Sequence, residues 1–170
     1  MITIDPNLRG CGVACWAKGT LVRAAYVKNP ATEGRGYHVL VSLAEAVGTF
    51  LIDRVLVEHR SPVIIEMPRV YPGMAKVDLN DLLDVMGVGA AVAQRLEGYG
   101  VTQSVFPSEW KGTMKKKAML ERIASKLSPE ELGRCESTNK SDTEDILDSV
   151  GIGLWKLGRL NARVYPGAIP

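Results

Sequence analysis

The chain has 170 residues, of which 46% are hydrophobic and 24% charged, and a formal net charge of +2 at pH 7. This length predicts one domain with a core of its own, at residues 1–160, and a C-terminal tail at residues 161–170. The net charge is too small to identify a partner, no apolar run of about eighteen residues predicts a membrane span, and the first residues lack the pattern of a secretion signal. Cys11, Cys15 and Cys135, an odd number without metal-type pairing, are typical of reduced thiols in a cytoplasmic protein.

The first part of the chain predicts three strands joined by short turns. Residues 2–4 form an apolar run that ends at Asp5 and Pro6, residues 13–16 form a second run, and residues 21–27 a third. Strands joined by such short connections can only pair as an antiparallel meander.

Helices and strands alternate in the middle of the chain. Residues 37–60 have apolar side chains at helical spacing, and residues 63–66 form a continuous apolar run, which is typical of a strand covered on both faces. Residues 78–98 predict a second helix, and residues 101–106 a fifth strand. The middle of the second helix, residues 87–93, consists of Gly, Ala and Val, which permits either self-association or close packing on the sheet.

The C-terminal part predicts a third helix, a polar connection and a last helix, at residues 115–127, 128–140 and 141–160. Ser141 and Glu144 fit a capping box at the start of the last helix. Gly151 and Gly153 lie in its middle, which indicates that the backbone there approaches a neighbour closely.

This order of elements predicts an α/β fold with a mixed five-stranded sheet, an antiparallel meander plus parallel strands, and helices on both faces. Ligands of such sheets bind at the strand ends. Charge is distributed unevenly, since basic residues cluster at 111–126 and acidic ones dominate at 130–148. This pattern suits a polyanion held by the first region and metals held by the second, although an ordinary solvated helix face gives the same pattern.

Four carboxylates occupy positions that should be apolar or structural. Asp5 ends the first strand, Glu66 lies in the most apolar strand, and Asp145 and Asp148 are three residues apart on the inward side of the last helix. A buried carboxylate is costly unless an ion pair or a bound cation offsets its charge. Because no Lys or Arg lies within a turn of either Asp on this helix, we expect a metal.

Hard oxygen donors of this kind bind Mg²⁺ or Mn²⁺, and carboxylates from separate elements can hold two ions about 4 Å apart for phosphodiester hydrolysis. Each acid has a plainer interpretation. Asp5 before Pro6 is also a turn residue, and Asp145 and Asp148 are exposed if the helix is rotated.

Several segments together resemble one family. TIDPNLRGCGVA at residues 3–14 resembles its first strand, VIIEMP at 63–68 its glutamate-bearing strand, WKG and the lysine run at 110–117 its basic segment, and EDILDSVGIGLW at 144–155 its terminal acidic helix. The chain is similar to RuvC-type Holliday junction resolvases on the RNase H-like fold, of the compact kind found in bacteriophages.

The resemblance implies a homodimer that nicks opposing strands of a four-way or branched DNA junction with two Mg²⁺ or Mn²⁺ ions. It places the metal-binding acids on Asp5, Glu66, Asp145 and Asp148. It places the lysines that act on the scissile phosphate near Lys111 and on Lys116 or Lys117.

Further DNA contacts are predicted in loops after the acid-bearing strands and in the lysine run: Arg9, Arg69, Tyr71, Lys76, Lys115 and Lys116. Bacterial members carry an aromatic wedge where this chain has Arg69, and Tyr71 is the nearest aromatic that could stack on a base. Asp142 and Glu144 crowd the acidic helix and are interpreted as a first-turn residue and a cap.

Three other functions remain open from the sequence. A nuclease of the same fold could act on RNA–DNA hybrids or flaps, and a junction-binding protein could lack catalysis. A nucleotide-binding actin-like domain also begins with an Asp-bearing strand and turn, but this chain is short for one and shows no second phosphate loop.

Overall fold

The computed structural model of the protein describes residues 1–31, 36–54, 61–68, 78–137 and 139–160. The strands in these ranges are β1 (Ile2–Asn7), β2 (Gly10–Ala17), β3 (Thr20–Lys28), β4 (Val63–Glu66), β5 (Thr102–Val105) and β6 (Cys135–Glu136). The helices are α1 (Tyr37–Arg54), α2 (Leu79–Arg95), α3 (Pro107–Trp110), α4 (Lys116–Ala124), α5 (Pro129–Leu132) and α6 (Lys140–Lys156). The predicted tail at residues 161–170 lies outside the described residues.

The strands form one mixed sheet in the order β5-β4-β1-β2-β3-β6. β1, β2 and β3 pair as the predicted antiparallel meander, and β4 and β5 add to β1 in parallel. The prediction of five strands is wrong, because β6 pairs in parallel with Ala24 and Ala25 of β3. β6 has only two residues within a polar stretch, so no apolar run marked it.

Successive side chains along each strand point to opposite faces of the sheet, and a hydrophobic core lies on each face. Ile4 and Ile65 point into the core formed with α1 and α2. Ile64 points into the core formed with α4 and α6, where Ile123 and Ile146 are fully buried. The predicted helices on both faces are therefore confirmed, and β4 is covered on both sides.

Helix boundaries differ from the predicted ones mainly at α6. Its N-cap is Asn139, whose side chain accepts a hydrogen bond from the backbone N–H of Asp142 at 3.0 Å. The predicted capping box of Ser141 and Glu144 is wrong because asparagine caps as well as serine and the helix begins earlier, which leaves Glu144 to pair with Lys116 at 3.0 Å.

Other predicted segments need smaller corrections. α1 spans Tyr37–Arg54, and the predicted extension over 55–60 falls outside the described residues. α2 is capped by Asp78 and ends at Arg95, before a short 3₁₀ helix at Glu97–Tyr99. The predicted polar connection at 128–140 contains α5 and β6, because Ser128 and Glu131 form a capping box that starts a helix there.

The small residues of α2 serve close packing. A Cβ atom at Gly87 would lie 2.9 Å from the Leu40 side chain, and one at Gly89 would lie 2.6 Å from the sulfur of Met67. Gly89 is also close to Ile65 of the sheet. This favours the packing alternative for residues 87–93.

None of the helices in the described ranges is long and apolar enough to cross a membrane. Cys11, Cys15 and Cys135 are free thiols, as predicted.

A buried ion pair ties the C-terminal end of α6 to the sheet. Both oxygens of Glu131 accept hydrogen bonds from Arg159 at 2.7 Å, and they also accept from the backbone N–H groups of Leu21 and Ser128. Arg159 in turn donates to the backbone oxygens of Gly19 and Lys126. Every polar atom of the Glu131 carboxylate therefore has a partner in the folded state.

We expect Glu131→Gln to lower the free energy of unfolding by about 2 kcal/mol at pH 7. The Arg159 hydrogen bonds, and then those from Leu21 and Ser128, outweigh burial and lower the pKa of Glu131 from 4.5 to about 2. A carboxyl group with a lowered pKa stabilises the fold above its unfolded pKa, and this contribution disappears as the pH falls through the folded pKa. Urea unfolding should therefore show the difference between native protein and variant shrinking from pH 4.5 towards pH 2.

The control for this prediction is Glu121→Gln, which removes an exposed carboxylate on α4. It should leave the pH profile of stability close to that of the native protein. A Glu131→Gln difference that stayed constant down to pH 2 would contradict the assignment.

Candidate active site

Asp5 and Glu66 lie side by side on two parallel strands, just after the last paired residues of β1 and β4. The prediction that Asp5 ends the first strand is wrong, because β1 continues to Asn7 through its pairing with β2. In the β1–β4 register Ile4 is opposite Ile65, so the next residue of each strand is one of the acids. Because Ile4 and Ile65 point towards α1 and α2, their successors point to the other face, which α6 covers. Glu66 is only 8% exposed, and Asp5 is half-buried.

α6 crosses this face and brings two more acids to it. Asp148 is 6% exposed, and Asp145 is half-buried. The helix is attached to β1 through Thr3, whose hydroxyl donates to the Ser149 carbonyl at 2.8 Å. This hydrogen bond fixes the position of Asp148 relative to β1, the strand that carries Asp5.

Three glycines set how closely α6 approaches its neighbours. A Cβ atom at Gly12, the residue paired with Asp5 in β2, would lie 1.9 Å from the Asp145 carbonyl oxygen. At Gly151 it would lie 2.5 Å from the Trp110 ring, and at Gly153 2.3 Å from the Trp16 ring. The predicted close approach at the two helix glycines is confirmed.

α3 follows β5 directly and places Trp110 and Lys111 against the acids. The Trp110 Nε1–H donates to Glu66 Oε2 at 2.5 Å. The Lys111 ammonium lies 3.3 Å from Glu66 Oε1 and 3.8 Å from Asp148 Oδ2, and 4.7 Å from the centre of the Trp110 ring. Although no Lys or Arg lies within a turn of Asp145 or Asp148 on α6, the Lys111 ammonium reaches Asp148 from another element.

Burial raises the pKa of all four acids. For Asp5, the repulsion from Glu66 and Asp148 adds to burial and raises the pKa well above its usual value. Burial also raises the pKa of Glu66 and Asp148, although Lys111 opposes this. Burial likewise raises the pKa of Asp145, against the effect of Lys116.

The surrounding acids favour the protonated form of Lys111. Burial acts to lower its pKa, but the charges of Glu66, Asp148 and Asp5 raise it above the usual value. The charges of Lys111 and Lys116 act on the four acids, so carboxylates outnumber ammonium groups at the site.

The chemistry of the donor set fits a hard divalent cation. In the part of the chain that the structure describes, no three His, Cys, Asp or Glu side chains are already spaced to hold a metal ion. Lys111 bridges Glu66 and Asp148, and Trp110 holds the second oxygen of Glu66. A divalent cation would offset the excess buried charge more fully than one ammonium does, and carboxylate oxygens are its preferred ligands.

The other predicted site residues lie around this centre or outside the described ranges. Lys116 pairs with Glu144 at 3.0 Å, and Lys117 is exposed, 4.0 Å from Glu121. Lys115 at the start of α4 and Arg9 in the β1–β2 turn are also exposed. Arg69, Tyr71 and Lys76 fall outside the described residues.

Trp110, Thr3 and Gly12 support the acids but were not predicted as site residues. The WKG segment was the only signal for Trp110, and the sequence analysis used it for its lysine. Nothing local distinguishes Thr3 or Gly12 from ordinary strand residues.

Solved structures that are similar to the chain over most of its length include two from Thermus thermophilus and one from yeast. Thermus thermophilus RuvC in complex with a Holliday junction substrate has a TM-score of 0.61 and 19% identity, covering 91% of this chain and 91% of that one. The chain has the RuvC fold. A second Thermus thermophilus RuvC structure gives a TM-score of 0.57 at 18% identity, covering 94% of this chain and 98% of that one.

The third structure with the RuvC fold is the yeast mitochondrial Holliday junction resolvase. Its TM-score is 0.60 at 14% identity, and the similarity covers 94% of this chain and 79% of that one. No protein-family model and no curated protein matches the chain. The RuvC fold confirms the RNase H-like class predicted from the sequence, with β6 as an additional edge strand.

Proposed function

We propose that the protein is a metal-dependent, structure-specific endodeoxyribonuclease that resolves four-way or branched DNA junctions. The observation that carries this proposal is the excess of carboxylates where β1, β4 and α6 meet, with Glu66 and Asp148 close enough to Asp5 for their charges to raise its pKa. The RuvC fold adds support, because solved structures of that fold include Holliday junction resolvases.

The acids have a common role in this proposal. Asp5, Glu66 and Asp148, with Asp145 completing the site, would hold two Mg²⁺ or Mn²⁺ ions. When bound, such ions activate a water molecule and stabilise the leaving oxygen of the phosphodiester. The carboxylates only bind and orient, so no protein nucleophile is needed.

Lys111 would act on the phosphate that is attacked. Its raised pKa keeps the ammonium protonated, and it lies beside Glu66 and Asp148. From this position the ammonium would turn towards a bound phosphate and offset the negative charge that develops on it.

The DNA-binding surface would extend from the site along α4. Lys115, Lys116 and Lys117 are exposed at the start of this helix, and Lys116 is already near the acidic helix through Glu144. Phosphate contacts of this kind fix the position of DNA without reading its sequence. Arg9, and the sequence-predicted Arg69, Tyr71 and Lys76, would supply further contacts.

A comparison of substrates tests the proposal. Purified protein with Mn²⁺ or Mg²⁺ should nick a mobile four-way junction on opposing strands and leave 5′-phosphate and 3′-hydroxyl ends. Faster cleavage of an RNA–DNA hybrid or a flap would favour a different nuclease of the same fold. Tight junction binding without nicking in Mn²⁺ would favour a non-catalytic junction-binding protein.

Cutting two opposing strands calls for two active sites, and we propose a homodimer that pairs through α2. Leu79, Leu83 and Met86 follow one another at spacings of four and three on this helix and are exposed, Leu83 by 62%. Exposed apolar side chains at this spacing form a stripe that suits a second helix.

We expect Leu83→Glu to convert the dimer into a monomer, because a charged side chain at the centre of the stripe would be buried without a partner. Sedimentation equilibrium measures the mass directly. The control is Ile52→Glu, since Ile52 is equally exposed, at 59%, but lies on α1. A native protein that sediments as a monomer at micromolar concentration would contradict the dimer, and a dimeric Leu83→Glu would contradict this interface.

A further inference from the structure

Trp110 and Lys111, two consecutive residues, hold the two oxygens of Glu66 separately. The Trp110 indole N–H donates a hydrogen bond to Oε2 at 2.5 Å, and the Lys111 ammonium forms an ion pair with Oε1 at 3.3 Å. Building on the proposed function, we propose that Trp110 is a positioning residue: its N–H occupies Oε2, so that Glu66 would bind a divalent cation through Oε1 alone.

The contact with Glu66 is strong because of its surroundings. Trp110 is 5% exposed and Glu66 8%, so little water competes for the hydrogen bond. A hydrogen bond to an ionised carboxylate is shorter and stronger than one between neutral groups. The indole has a single hydrogen-bond donor, its Nε1–H, and Glu66 accepts that hydrogen bond.

Trp110 is itself held in place from two sides. On one side Trp110 is the last residue of α3, which starts at Pro107 and is capped by the Glu109 carboxylate, an acceptor for the Phe106 backbone N–H at 2.6 Å. On the other side its ring fills the space over Gly151, where a Cβ atom would lie 2.5 Å from the ring. Gly151 is one turn after Asp148 on α6, so the indole connects the two elements that carry Glu66 and Asp148.

A second tryptophan packs on α6 in the same way as Trp110 but, among the described residues, hydrogen-bonds to no acid, and the Thr3 hydroxyl that accepts from it donates separately to Ser149. Trp16 is also 5% exposed, fills the space over Gly153 of the same helix, and donates its Nε1–H at 3.1 Å. Its acceptor is the neutral hydroxyl of Thr3. The chain therefore contains a matched pair of tryptophans, of which only Trp110 bonds to an acid.

The experiment compares Trp110→Phe with Trp16→Phe. Both variants keep an aromatic ring against α6 and lose one N–H. Isothermal titration calorimetry with Mn²⁺, without DNA, should show an affinity about 10-fold or more weaker for Trp110→Phe, as expected for loss of a residue that orients a metal ligand. Trp16→Phe should bind Mn²⁺ with the affinity of the native protein, even if the two substitutions lower the melting temperature by the same amount.

A second variant removes the N–H without changing the ring shape. Site-specific incorporation of benzothienylalanine at position 110 replaces the N–H by sulfur and should weaken Mn²⁺ binding as Trp110→Phe does. Native affinity in this variant would overturn the role of Trp110, and so would equal weakening in Trp16→Phe, which would indicate a packing effect.

Measurements on the native protein distinguish a failure of this inference from a failure of the proposed function on which it rests. If it neither binds Mn²⁺ nor nicks a junction, the proposed function fails and the inference with it. If it does both while the position-110 variants bind Mn²⁺ normally, only the inference about Trp110 fails.

Discussion

Asp5→Asn should reduce the rate of junction cleavage by about 10³-fold or more, because a lost metal ligand removes several kcal/mol of transition-state stabilisation. The same change should raise the melting temperature of the protein without divalent cations. Burial, Glu66 and Asp148 raise the pKa of Asp5, and a carboxyl group with a raised pKa destabilises the fold once the pH exceeds its unfolded pKa. At neutral pH the amide removes this cost. Glu66→Gln should lose activity to a similar extent.

Single-turnover cleavage of a four-way junction and thermal unfolding measure the two effects on the same preparation. The control is Glu136→Gln, which removes a carboxylate at the opposite edge of the sheet, where it pairs with Arg23. It should cleave as the native protein does and gain no stability. Full activity in Asp5→Asn or Glu66→Gln would rule out the proposed mechanism.

Gly12→Ala is expected to lower the free energy of unfolding by about 3 kcal/mol. The new Cβ atom would lie 1.9 Å from the Asp145 carbonyl oxygen and 2.5 Å from its carbonyl carbon. These are backbone atoms of α6, so the whole helix must move away from β2. Asp145 and Asp148 would move with it, and cleavage should fall even in molecules that remain folded.

Urea unfolding and junction cleavage check this prediction together. The matched control is Gly98→Ala, because a Cβ atom at Gly98 meets nothing within 4 Å. That variant should match the native protein in both measurements. Native stability in Gly12→Ala would show that α6 does not rest directly on β2.

Local patterns were sufficient to predict most of the fold. The turns between residues 2 and 28 are so short that the three strands can pair only as an antiparallel meander. The apolar run at residues 63–66 requires cover on both faces of the sheet, and Val63 and Ile64 do point into different cores. β6 was not predictable, because its two residues depend on an edge that β3 presents in the folded chain.

The acids were easier to predict than the residues around them. Glu66 interrupts an apolar strand, and the strand pattern alone marks it as unusual. Its contacts with Trp110 and Lys111 arise because β5 pairs next to β4 and α3 begins directly after it. A side chain brought in by this kind of tertiary pairing leaves no periodic signal, which is why the ion pair with Lys111 was missed.

Acids from three separate elements are proposed to bind divalent cations against a phosphate. Crystals soaked in Mn²⁺ and measured by anomalous scattering test this proposal most directly. We expect an anomalous peak among the carboxyl groups of Asp5, Glu66 and Asp148, with the Lys111 ammonium moved away from the acids. Mn²⁺ bound elsewhere, or no peak at these acids in crystals of a preparation that cleaves junctions in Mn²⁺, would contradict it.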